Sequence, residues 1–441
     1  MQEAIIVGKE CSGKEASALL FSQNYKVHLV DDYSNVSKND MQSMVKASKM
    51  VILSPAITKQ SPWVKEAKVQ KKEIISELEL ASRFNSSQII AITGTNGKTT
   101  TTELTGKLFA TQFNTFVGGN IGVPFSKFCL QTTADSYSIL EISSFMLENI
   151  KTFKPHIAVM LNLSPDHLNR HGSLKIYYST KAKIFSNMGQ DDFAVLNADD
   201  ELVIKYAKNI SSKVYYFSTQ KEVEGCFIKN NNIYFKSNEK LQKVCSVSKI
   251  KIVGEHNLSN CLASILCFLL AGGKIKNIAK TLSNFYGVEH RLAFVDKICG
   301  VEFYNDSKST NIDSTLVATK SFKKPIVLLL GGSDKGLNFD RLFEKLPKNV
   351  LSVIVFGEVK EKLIASAHKA HCNKLKECSS LKTATTMAFV IAPPKSIVLL
   401  SPATASFDMF SNYEERGKFF VSAVKELSDE VKKVGRKGVK I

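Results

Sequence analysis

The chain has 441 residues, of which 44% are hydrophobic and 23% are charged, and its formal net charge at pH 7 is +18. This length predicts two or three domains, and the composition is that of a soluble globular protein. No run approaches about 18 apolar residues, which excludes a membrane span. The nine cysteines are scattered without a CxxC pair, which is typical of a reducing cytoplasm and excludes a disulfide scaffold. The lysines are spread along the chain, so nucleic-acid binding is not predicted as the main role.

The N-terminal segment predicts half of a nucleotide-binding fold. An apolar strand at residues 4–8 leads through a glycine turn into a helix, and a second strand at 26–30 ends at Asp31. This order resembles the mononucleotide-binding half of a Rossmann fold, although its glycine pattern is too incomplete to support NAD binding. Ser12 and Asp31 are candidates for contact with a nucleotide-like group, and a purely structural unit is an equal alternative. A polar break at 85–87 predicts a domain boundary.

A phosphate-binding loop is predicted next. The apolar run at 89–92 is followed by Thr93-Gly94-Thr95-Asn96-Gly97-Lys98-Thr99-Thr100 and then by a helical stretch. Strand, glycine loop and helix are the context in which backbone N–H groups and a helix N-terminus bind phosphate. We expect Lys98 to neutralise the β- and γ-phosphates and the Thr99 hydroxyl to ligate Mg²⁺. The alternative is a glycine turn beside a solvated lysine.

Polar residues follow the next apolar strands. Glu141 ends a strand-like run, where carboxylates of nucleotide-binding proteins hold Mg²⁺; the alternative is a solvated surface residue. Asp166 and His167 follow a strand at 157–163, so His167 is a candidate metal ligand that Asp166 orients, or else a surface histidine. Lys181 lies in a helix around 177–185, and the pattern predicts it as solvated.

The second half of the chain repeats the alternation of strands and helices. Residues 213–253 predict short strands with a hairpin near Asn230, and a long helix carries Asn257, placed to reach a nucleotide base. A second boundary is predicted near residue 287. Beyond it, four apolar strands each end in a polar or glycine-rich loop, at 305–311, 331–336, 357 and 401–408. This pattern predicts a doubly wound domain with its loops at one edge of the sheet.

Together these motifs resemble the Mur ligase family. The resemblance is carried by Thr93–Thr100, Gly119–Gly122, Glu141–Phe145, Asp166-His167, Gly254–Asn257 and His290-Arg291, and the loops 305–311 and 401–408 resemble the members that add D-glutamate. It implies an α/β fold of three domains. These are a Rossmann-like domain for the UDP substrate (1–86), a central P-loop ATPase-like domain (87–287) and a doubly wound C-terminal domain for ATP and D-glutamate (288–441).

The resemblance also implies roles for individual residues. Lys98, His167 and Lys181 are the implied catalytic residues. Thr99 and Glu141 would hold one Mg²⁺, and His167 and Lys181 a second, the lysine as a carbamate made with CO₂, which replaces its solvated interpretation. The implied ATP contacts beyond the phosphate loop are Asn257, Arg291 and Asp306. The implied substrate contacts are Ser12, Asp31 and Asn120 for the UDP-sugar, and Lys308, Thr310, Lys335, Ser406 and Tyr413 for D-glutamate.

The implied activity is that of an ATP-dependent amide ligase. It would add D-glutamate to UDP-N-acetylmuramoyl-L-alanine through an acyl phosphate, in peptidoglycan precursor synthesis. We expect a cytoplasmic monomer without a nucleic-acid partner. One alternative is another ATP-dependent amide ligase, such as a folylpolyglutamate synthase or a neighbouring member of the family. The other is a non-catalytic nucleotide-gated or nucleic-acid-binding protein that uses the basic surface.

Overall fold

The computed structural model describes residues 1–208, 210–252, 254–334 and 336–439, and the chain forms two compact units. The first comprises Met1–Ile250 and His256–Asn284, and the second Lys251–Glu255 and Phe285–Ile441. Two sheets lie in the first unit and one in the second. Among the described residues, none of the helices combines the length and the apolar character that crossing a bilayer requires.

The N-terminal sheet has four parallel strands in the order β2-β1-β3-β4. Its elements are β1 (Gln2–Val7), α1 (Cys11–Ser22), β2 (Tyr25–Val30), α2 (Lys38–Ala47), β3 (Ser48–Leu53), α3 (Pro62–Val69), β4 (Glu73–Ser76) and α4 (Glu77–Ser82). The strand order reverses between β1 and β3, and ligands of doubly wound folds bind outside the carboxyl ends at such a point. A Cβ on Gly13 would lie 1.7 Å from the Gly8 carbonyl oxygen, so only glycine lets α1 begin against the end of β1.

The middle sheet has nine strands in the order β13-β12-β11-β10-β9-β8-β5-β7-β6. Its strands are β5 (Gln88–Thr93), β6 (Thr115–Gly119), β7 (Tyr137–Glu141), β8 (Ile157–Met160), β9 (Phe193–Asn197), β10 (Lys213–Ser218), β11 (Gly225–Lys229), β12 (Asn232–Ser237) and β13 (Lys240–Ser246). Its α-helices are α5 (Lys98–Phe109), α6 (Leu168–His171), α7 (Leu174–Ala182), α8 (Glu201–Tyr206), α9 (Glu255–Leu270) and α10 (Ile278–Ser283). The predicted hairpin is confirmed, since β11 and β12 pair antiparallel around Asn230 and Asn231, whose φ values are 47° and 57°.

One apolar core joins the N-terminal sheet to the middle sheet, with Ile6, Leu80 and Phe125 among its fully buried side chains. The carboxylate of Glu79, on α4, is also fully buried at this junction. It accepts hydrogen bonds of 2.7–3.1 Å from the backbone N–H groups of residues 151, 152 and 153 and from the Thr152 hydroxyl. These donors belong to the middle domain, so a charge on one domain is satisfied by backbone of the other.

The second unit contains a six-stranded sheet in the order β14-β15-β19-β16-β17-β18. Its elements are β14 (Ala293–Ile298), β15 (Val301–Asn305), α11 (Ile312–Lys320), β16 (Ile326–Gly331), α12 (Asp340–Glu344), β17 (Val350–Phe356), α13 (Lys360–Lys369), β18 (Leu375–Glu377), α14 (Leu381–Ile391), β19 (Ile397–Leu400) and α15 (Tyr413–Val434). All neighbouring strands from β15 to β18 are parallel, with buried apolar clusters on both faces. The predicted gathering of the strand-end loops at one edge is thereby confirmed, as is the α/β fold class.

Candidate active site

The predicted phosphate loop connects β5 to α5, and Asn162, which follows β8, fixes the backbone conformation of this loop. The backbone N–H groups of Thr95 and Asn96 donate to the backbone and side-chain oxygens of Asn162, at 3.0 and 2.8 Å. The Asn162 amide returns a hydrogen bond of 3.0 Å to the Asn96 carbonyl. Gly97 has φ 83°, and a Cβ there would lie 2.3 Å from the side-chain oxygen of Asn260 on α9. The loop therefore has its glycines where the backbone needs them to cradle phosphate.

Two lysine side chains converge on one carbonyl of this loop. The Lys98 ammonium donates to the carbonyl oxygens of Gly94 and Thr95, at 3.0 and 2.9 Å. Nζ of Lys181, from α7, also donates to the Gly94 oxygen at 2.9 Å. Lys181 is only 2% exposed, so its interpretation as a solvated residue was wrong. Burial, reinforced by the charge of Lys98, holds the pKa of the Lys181 amine well below its usual range.

Glu141 presents one paired and one unpaired oxygen beside the loop. The carboxylate is buried at the end of β7, and its Oε1 accepts a hydrogen bond of 2.9 Å from the Asn120 amide. Its Oε2 is buried with no hydrogen-bond partner among the described residues. Thr99 lies in the first turn of α5, and it is also buried. An orphaned carboxylate oxygen and a threonine hydroxyl are hard oxygen donors, which fits the residues to Mg²⁺.

His167 lies on the strand-end segment that follows β8. Its φ is 49°, its side chain is 45% exposed, and its Nε2 lies 3.5 Å from Oδ2 of Asp166. The imidazole packs against Phe145, with the ring centroids 4.9 Å apart. Partial burial lowers the pKa of His167; the charge of Asp166 opposes this shift, and the charges of Lys181 and Lys98 reinforce it. A neutral imidazole is a metal ligand, although the described part of the chain contains no group of three His, Cys, Asp or Glu side chains arranged to hold a metal.

The candidate UDP residues Ser12 and Asp31 lie beyond the carboxyl ends of β1 and β2 in the N-terminal sheet. Ser12 is in the first turn of α1, and Asp31 directly follows β2, where its Oδ1 accepts hydrogen bonds from the Ser34 hydroxyl and the Tyr33 N–H. Ser54 directly follows β3, and its hydroxyl donates to the Gly8 carbonyl at 3.2 Å. The loops after β1 and β3 therefore contact each other at the switch point, where doubly wound folds bind ligands in a crevice.

Helix α9 packs along the phosphate-loop helix. The Ser264 hydroxyl donates to the Thr101 carbonyl of α5 at 3.2 Å. Asn257 lies in the first turn of α9, buried, and its side-chain oxygen accepts a hydrogen bond from Asn260 at 3.0 Å. Asn260 borders Gly97 of the phosphate loop. Asn257, the candidate nucleotide contact, lies one helical turn before Asn260, and α9 therefore places it near this loop.

In the second unit, the loop after β15 contains a buried carboxylate. Asp306 accepts hydrogen bonds from the Ser401 hydroxyl at 2.7 Å and the Leu292 N–H at 3.2 Å. Burial raises the pKa of Asp306 to about 6, and its hydrogen bonds and the charge of Arg291 partly oppose this rise. The structure thus brings the predicted residues Arg291 and Asp306 close together.

Four of the five predicted D-glutamate residues are described, and they lie in the loop after β15, in the loop after β19 and at the start of α15. Lys308 and Thr310 lie in the loop after β15, and the Lys308 ammonium lies 5.6 Å from the ring centroid of Tyr413. Ser406 is buried in the loop after β19. Lys335 lies outside the described residues. Lys308 and Tyr413 are therefore brought together, which the sequence positions alone did not reveal.

Arg416 fastens these loops to each other. Its fully buried guanidinium donates to the carbonyl oxygens of Ser307, Gly331, Thr404 and Ala405, at 2.9–3.2 Å, and to the Ser307 hydroxyl at 3.0 Å. Burial lowers the pKa of Arg416 to about 10, and the charge of Asp408 opposes this shift. One side chain on α15 thus holds the loops after three neighbouring strands.

Sequence reasoning missed Asn162 and Arg416, whose hydrogen bonds fix the backbone of the loops that carry the candidate site residues. Asn162 carried a usable signal, because it is the polar residue that ends the apolar strand run before Asp166. Arg416 carried none, since an arginine in a charged helical stretch reads as solvated.

Two family models match the chain. The Mur ligase middle domain matches residues 92–268, and the Mur ligase, glutamate ligase domain matches residues 290–404. Among curated relatives, proteins named UDP-N-acetylmuramoylalanine–D-glutamate ligase are similar over most of their length. The relative from Alkaliphilus metalliredigens is 42% identical over 380 residues, covering 86% of this chain and 84% of the relative. That from Koribacter versatilis is 39% identical over 386 residues, covering 87% and 84%.

Solved structures share the fold at low sequence identity. The UDP-N-acetylmuramate-alanine ligase MurC from Thermotoga maritima superposes with a TM-score of 0.60 at 17% identity, covering 97% of this chain and 100% of that one. A MurF structure from Acinetobacter baumannii gives a TM-score of 0.60 at 17% identity, covering 89% of this chain and 88% of that one. A MurF ligase from Thermotoga maritima in complex with ADP gives 0.57 at 16% identity, covering 87% and 96%. At these identities the likeness shows the three-domain fold alone.

Proposed function

The chain belongs to the Mur ligase family, and we infer from this membership that it is an ATP-dependent ligase of peptidoglycan precursor synthesis. It adds D-glutamate to UDP-N-acetylmuramoyl-L-alanine. The observation that carries this inference is the 42% identity, over 86% of this chain, to a relative named for that reaction. The phosphate loop with its convergent lysines supplies the physical basis for the use of ATP.

The proposal assigns the phosphate loop and its surroundings to ATP. Backbone N–H groups of residues 94–100 and the N-terminus of α5 bind the phosphates, and Lys98 stabilises the negative charge that develops during phosphoryl transfer. Thr99 and Glu141 would hold Mg²⁺, which supplies a positive charge on the phosphate oxygens. The unpaired Oε2 of Glu141 supports this assignment. Asn257, Arg291 and Asp306 are proposed as further ATP contacts.

Lys181 is proposed to react with CO₂ to form a carbamate. This reaction requires a neutral amine, and the burial of Lys181 beside Lys98 favours that form. A carbamate would carry a negative charge at a position where two lysines otherwise share one carbonyl. It would also give His167 an anionic oxygen donor as a companion ligand for a second Mg²⁺.

The reaction proceeds in two transfers. The carboxylate of the UDP-linked substrate attacks the γ-phosphorus of ATP, which releases ADP and leaves an acyl phosphate. The amine of D-glutamate then attacks the acyl carbon, the amide bond forms, and inorganic phosphate leaves. Ser12, Asp31 and Asn120 are proposed to contact the UDP-sugar. Lys308, Thr310, Lys335, Ser406 and Tyr413 are proposed to bind D-glutamate, whose carboxylates suit the two lysines.

Phosphate release from ATP tests the function. The assay contains UDP-N-acetylmuramoyl-L-alanine and one amino acid at a time: D-glutamate, L-glutamate, L-lysine or diaminopimelate. We expect release that requires both the UDP substrate and D-glutamate. Release with another amino acid would refute the assigned amino-acid pocket but keep the ligase chemistry. Absence of release with all four from folded protein would refute the ligase function.

Cellular location and oligomeric state complete the proposal. We propose a cytoplasmic monomer, which the nine free cysteines support, because reduced thiols persist in that compartment. Sedimentation of the purified protein checks the monomer, and a mass twice that of one chain would contradict it.

A further inference from the structure

Arg170 links the two domains of the first unit next to the candidate reaction centre. It lies on α6, three residues after His167, and its side chain is only 13% exposed. Its Nη1 donates to the Ala56 carbonyl at 3.0 Å, and its Nη2 donates to the Ile57 carbonyl at 2.6 Å. Ala56 and Ile57 belong to the loop after β3, which borders the switch-point crevice of the N-terminal sheet.

Glu148 fixes the orientation of this guanidinium. Its two oxygens accept hydrogen bonds from Nε and Nη2 of Arg170, at 3.1 and 3.0 Å, in a bidentate pair that is mostly buried. Such pairs have one preferred geometry, so the direction of the remaining donors is set as well. The Arg170 guanidinium therefore makes its contacts to the Ala56 and Ile57 carbonyls as one rigid group.

Phe145 connects the same guanidinium to His167. The Arg170 guanidinium lies over the Phe145 ring at 4.9 Å from its centroid, and the His167 ring contacts Phe145 at 4.9 Å between centroids. A continuous set of packed groups thus runs from the loop after β3, through Arg170 and Phe145, to His167. Packed contacts of this kind transmit displacements between sites.

We propose that Arg170 is a positioning residue that couples the UDP-binding loop of the N-terminal domain to the His167 segment of the reaction centre. This inference rests on the proposed function, which puts UDP in the switch-point crevice and the reacting carboxylate near His167. The UDP end of the substrate takes no part in the chemistry. Its binding energy accelerates the reaction only if the anchored end fixes where the reacting end lies.

The test compares Arg170→Lys with wild type and with Arg83→Lys. Arg83 also pairs with glutamates at the junction of the same domains, but it contacts Glu73 and Glu79, away from the loop after β3. A lysine at position 170 keeps the charge but cannot bridge the two carbonyls and Glu148 together. We expect kcat of Arg170→Lys to fall by about 10- to 100-fold, because misplacement by about 1 Å has that cost. Arg83→Lys should keep the wild-type kcat.

Two further measurements separate positioning from damage to the fold. ADP affinity of Arg170→Lys should stay within about threefold of wild type, since the phosphate loop is unchanged. Glu148→Gln, which keeps Arg170 and weakens only its orientation, should lower kcat in the same direction by a smaller factor. The affinity for UDP is read from the fluorescence of Trp63, the single tryptophan, whose indole N–H donates to the Asp31 carbonyl.

The outcomes decide between three explanations. A fall in kcat with ADP affinity retained supports the coupling. An unchanged kcat with a weaker affinity for UDP alone would overturn it, because Arg170 would then only shape the loop. A parallel loss of ADP affinity would also overturn it, as the effect would be general damage. Lack of ligase activity in the wild-type protein would instead refute the proposed function, and so the two failures are distinguishable.

Discussion

Lys98 and Lys181 donate hydrogen bonds to the same acceptor, the carbonyl oxygen of Gly94, at 3.0 and 2.9 Å. A carbonyl dipole does not compensate a full positive charge at a buried position, and Lys181 is the more buried of the two lysines. The arrangement therefore favours chemistry that removes the positive charge of Lys181.

The first prediction concerns that chemistry. Protein equilibrated with ¹³C-labelled bicarbonate should give a carbamate carbon resonance that is absent from Lys181→Ala. We expect this variant to lose about 100-fold or more in kcat/KM, since a charge placed in the site is lost. Added acetate should partly restore activity, because its carboxylate can occupy the space left by the side chain. The matched control is Lys183→Ala, which removes an exposed lysine two residues away and should keep both the resonance and the activity.

Removal of metal is the second prediction. A chelator should abolish phosphate release, and Mg²⁺ should restore it. Glu141→Gln should raise the Mg²⁺ concentration for half-maximal activity by about tenfold or more, because an amide is a far weaker ligand than a carboxylate. Glu103→Gln, on the partly exposed face of α5, serves as the control. A Glu141→Gln enzyme with the wild-type Mg²⁺ dependence would exclude Glu141 as a ligand.

The third prediction follows from Asp306, whose pKa in the folded protein is about 6 against a usual value of 3.8. The folded state holds a proton that the unfolded state has released, so stability falls as pH rises through this window. The loss approaches about 3 kcal/mol at neutral pH, with about half of it between pH 5 and 8.

Denaturation by urea from pH 5 to 8 measures this effect. Asp306→Asn should gain free energy of unfolding relative to wild type as pH rises. Asp313→Asn, whose carboxylate is 69% exposed on α11, should show no such trend. A difference between Asp306→Asn and wild type that does not change with pH would contradict the prediction.

Arg416 gives the fourth prediction. Arg416→Met leaves four buried carbonyl oxygens and one hydroxyl oxygen without the guanidinium that donates to them. We therefore expect a loss of about 3–5 kcal/mol in the free energy of unfolding of the second unit. Arg416→Lys should retain more stability but raise KM for D-glutamate, while KM for the UDP substrate stays near that of wild type. Arg341→Met removes an exposed arginine paired with Asp313 and should cost under about 1 kcal/mol. Equal effects of the two methionine variants would show that burial of Arg416 contributes nothing.

The sequence allowed the fold and the strand-end loops to be predicted because both depend on local patterns. The fully buried run Ile90–Ile92 predicts a central parallel strand, and the glycines and Lys98 after it predict a phosphate loop. Asn230 and Asn231 predict their hairpin because both tolerate positive φ. Such signals lie within a few residues of the feature that they specify.

Residues whose partners are distant in sequence could not be predicted in this way. Lys181 was interpreted as solvated because nothing in its helix reveals that Gly94, 87 positions earlier, accepts its hydrogen bond. Arg416 meets Ser307 from 109 positions away, and Arg170 reaches Ile57 across 113. Charged side chains are mostly exposed, so only the assembled fold shows which ones are buried and paired.

The buried carboxylate of Glu79 decides how this protein can be recombined with its relatives. A chimera that is cut after residue 84 would take α4, together with the N-terminal sheet, from the relative. The backbone N–H groups of residues 151–153 would then face whatever residue the relative has in place of Glu79. A cut between β4 and α4 keeps β4 with its own sheet and keeps the carboxylate with the turn that satisfies it. The exchangeable module therefore ends near residue 76, and α4 stays with the domain whose N–H groups donate to its carboxylate.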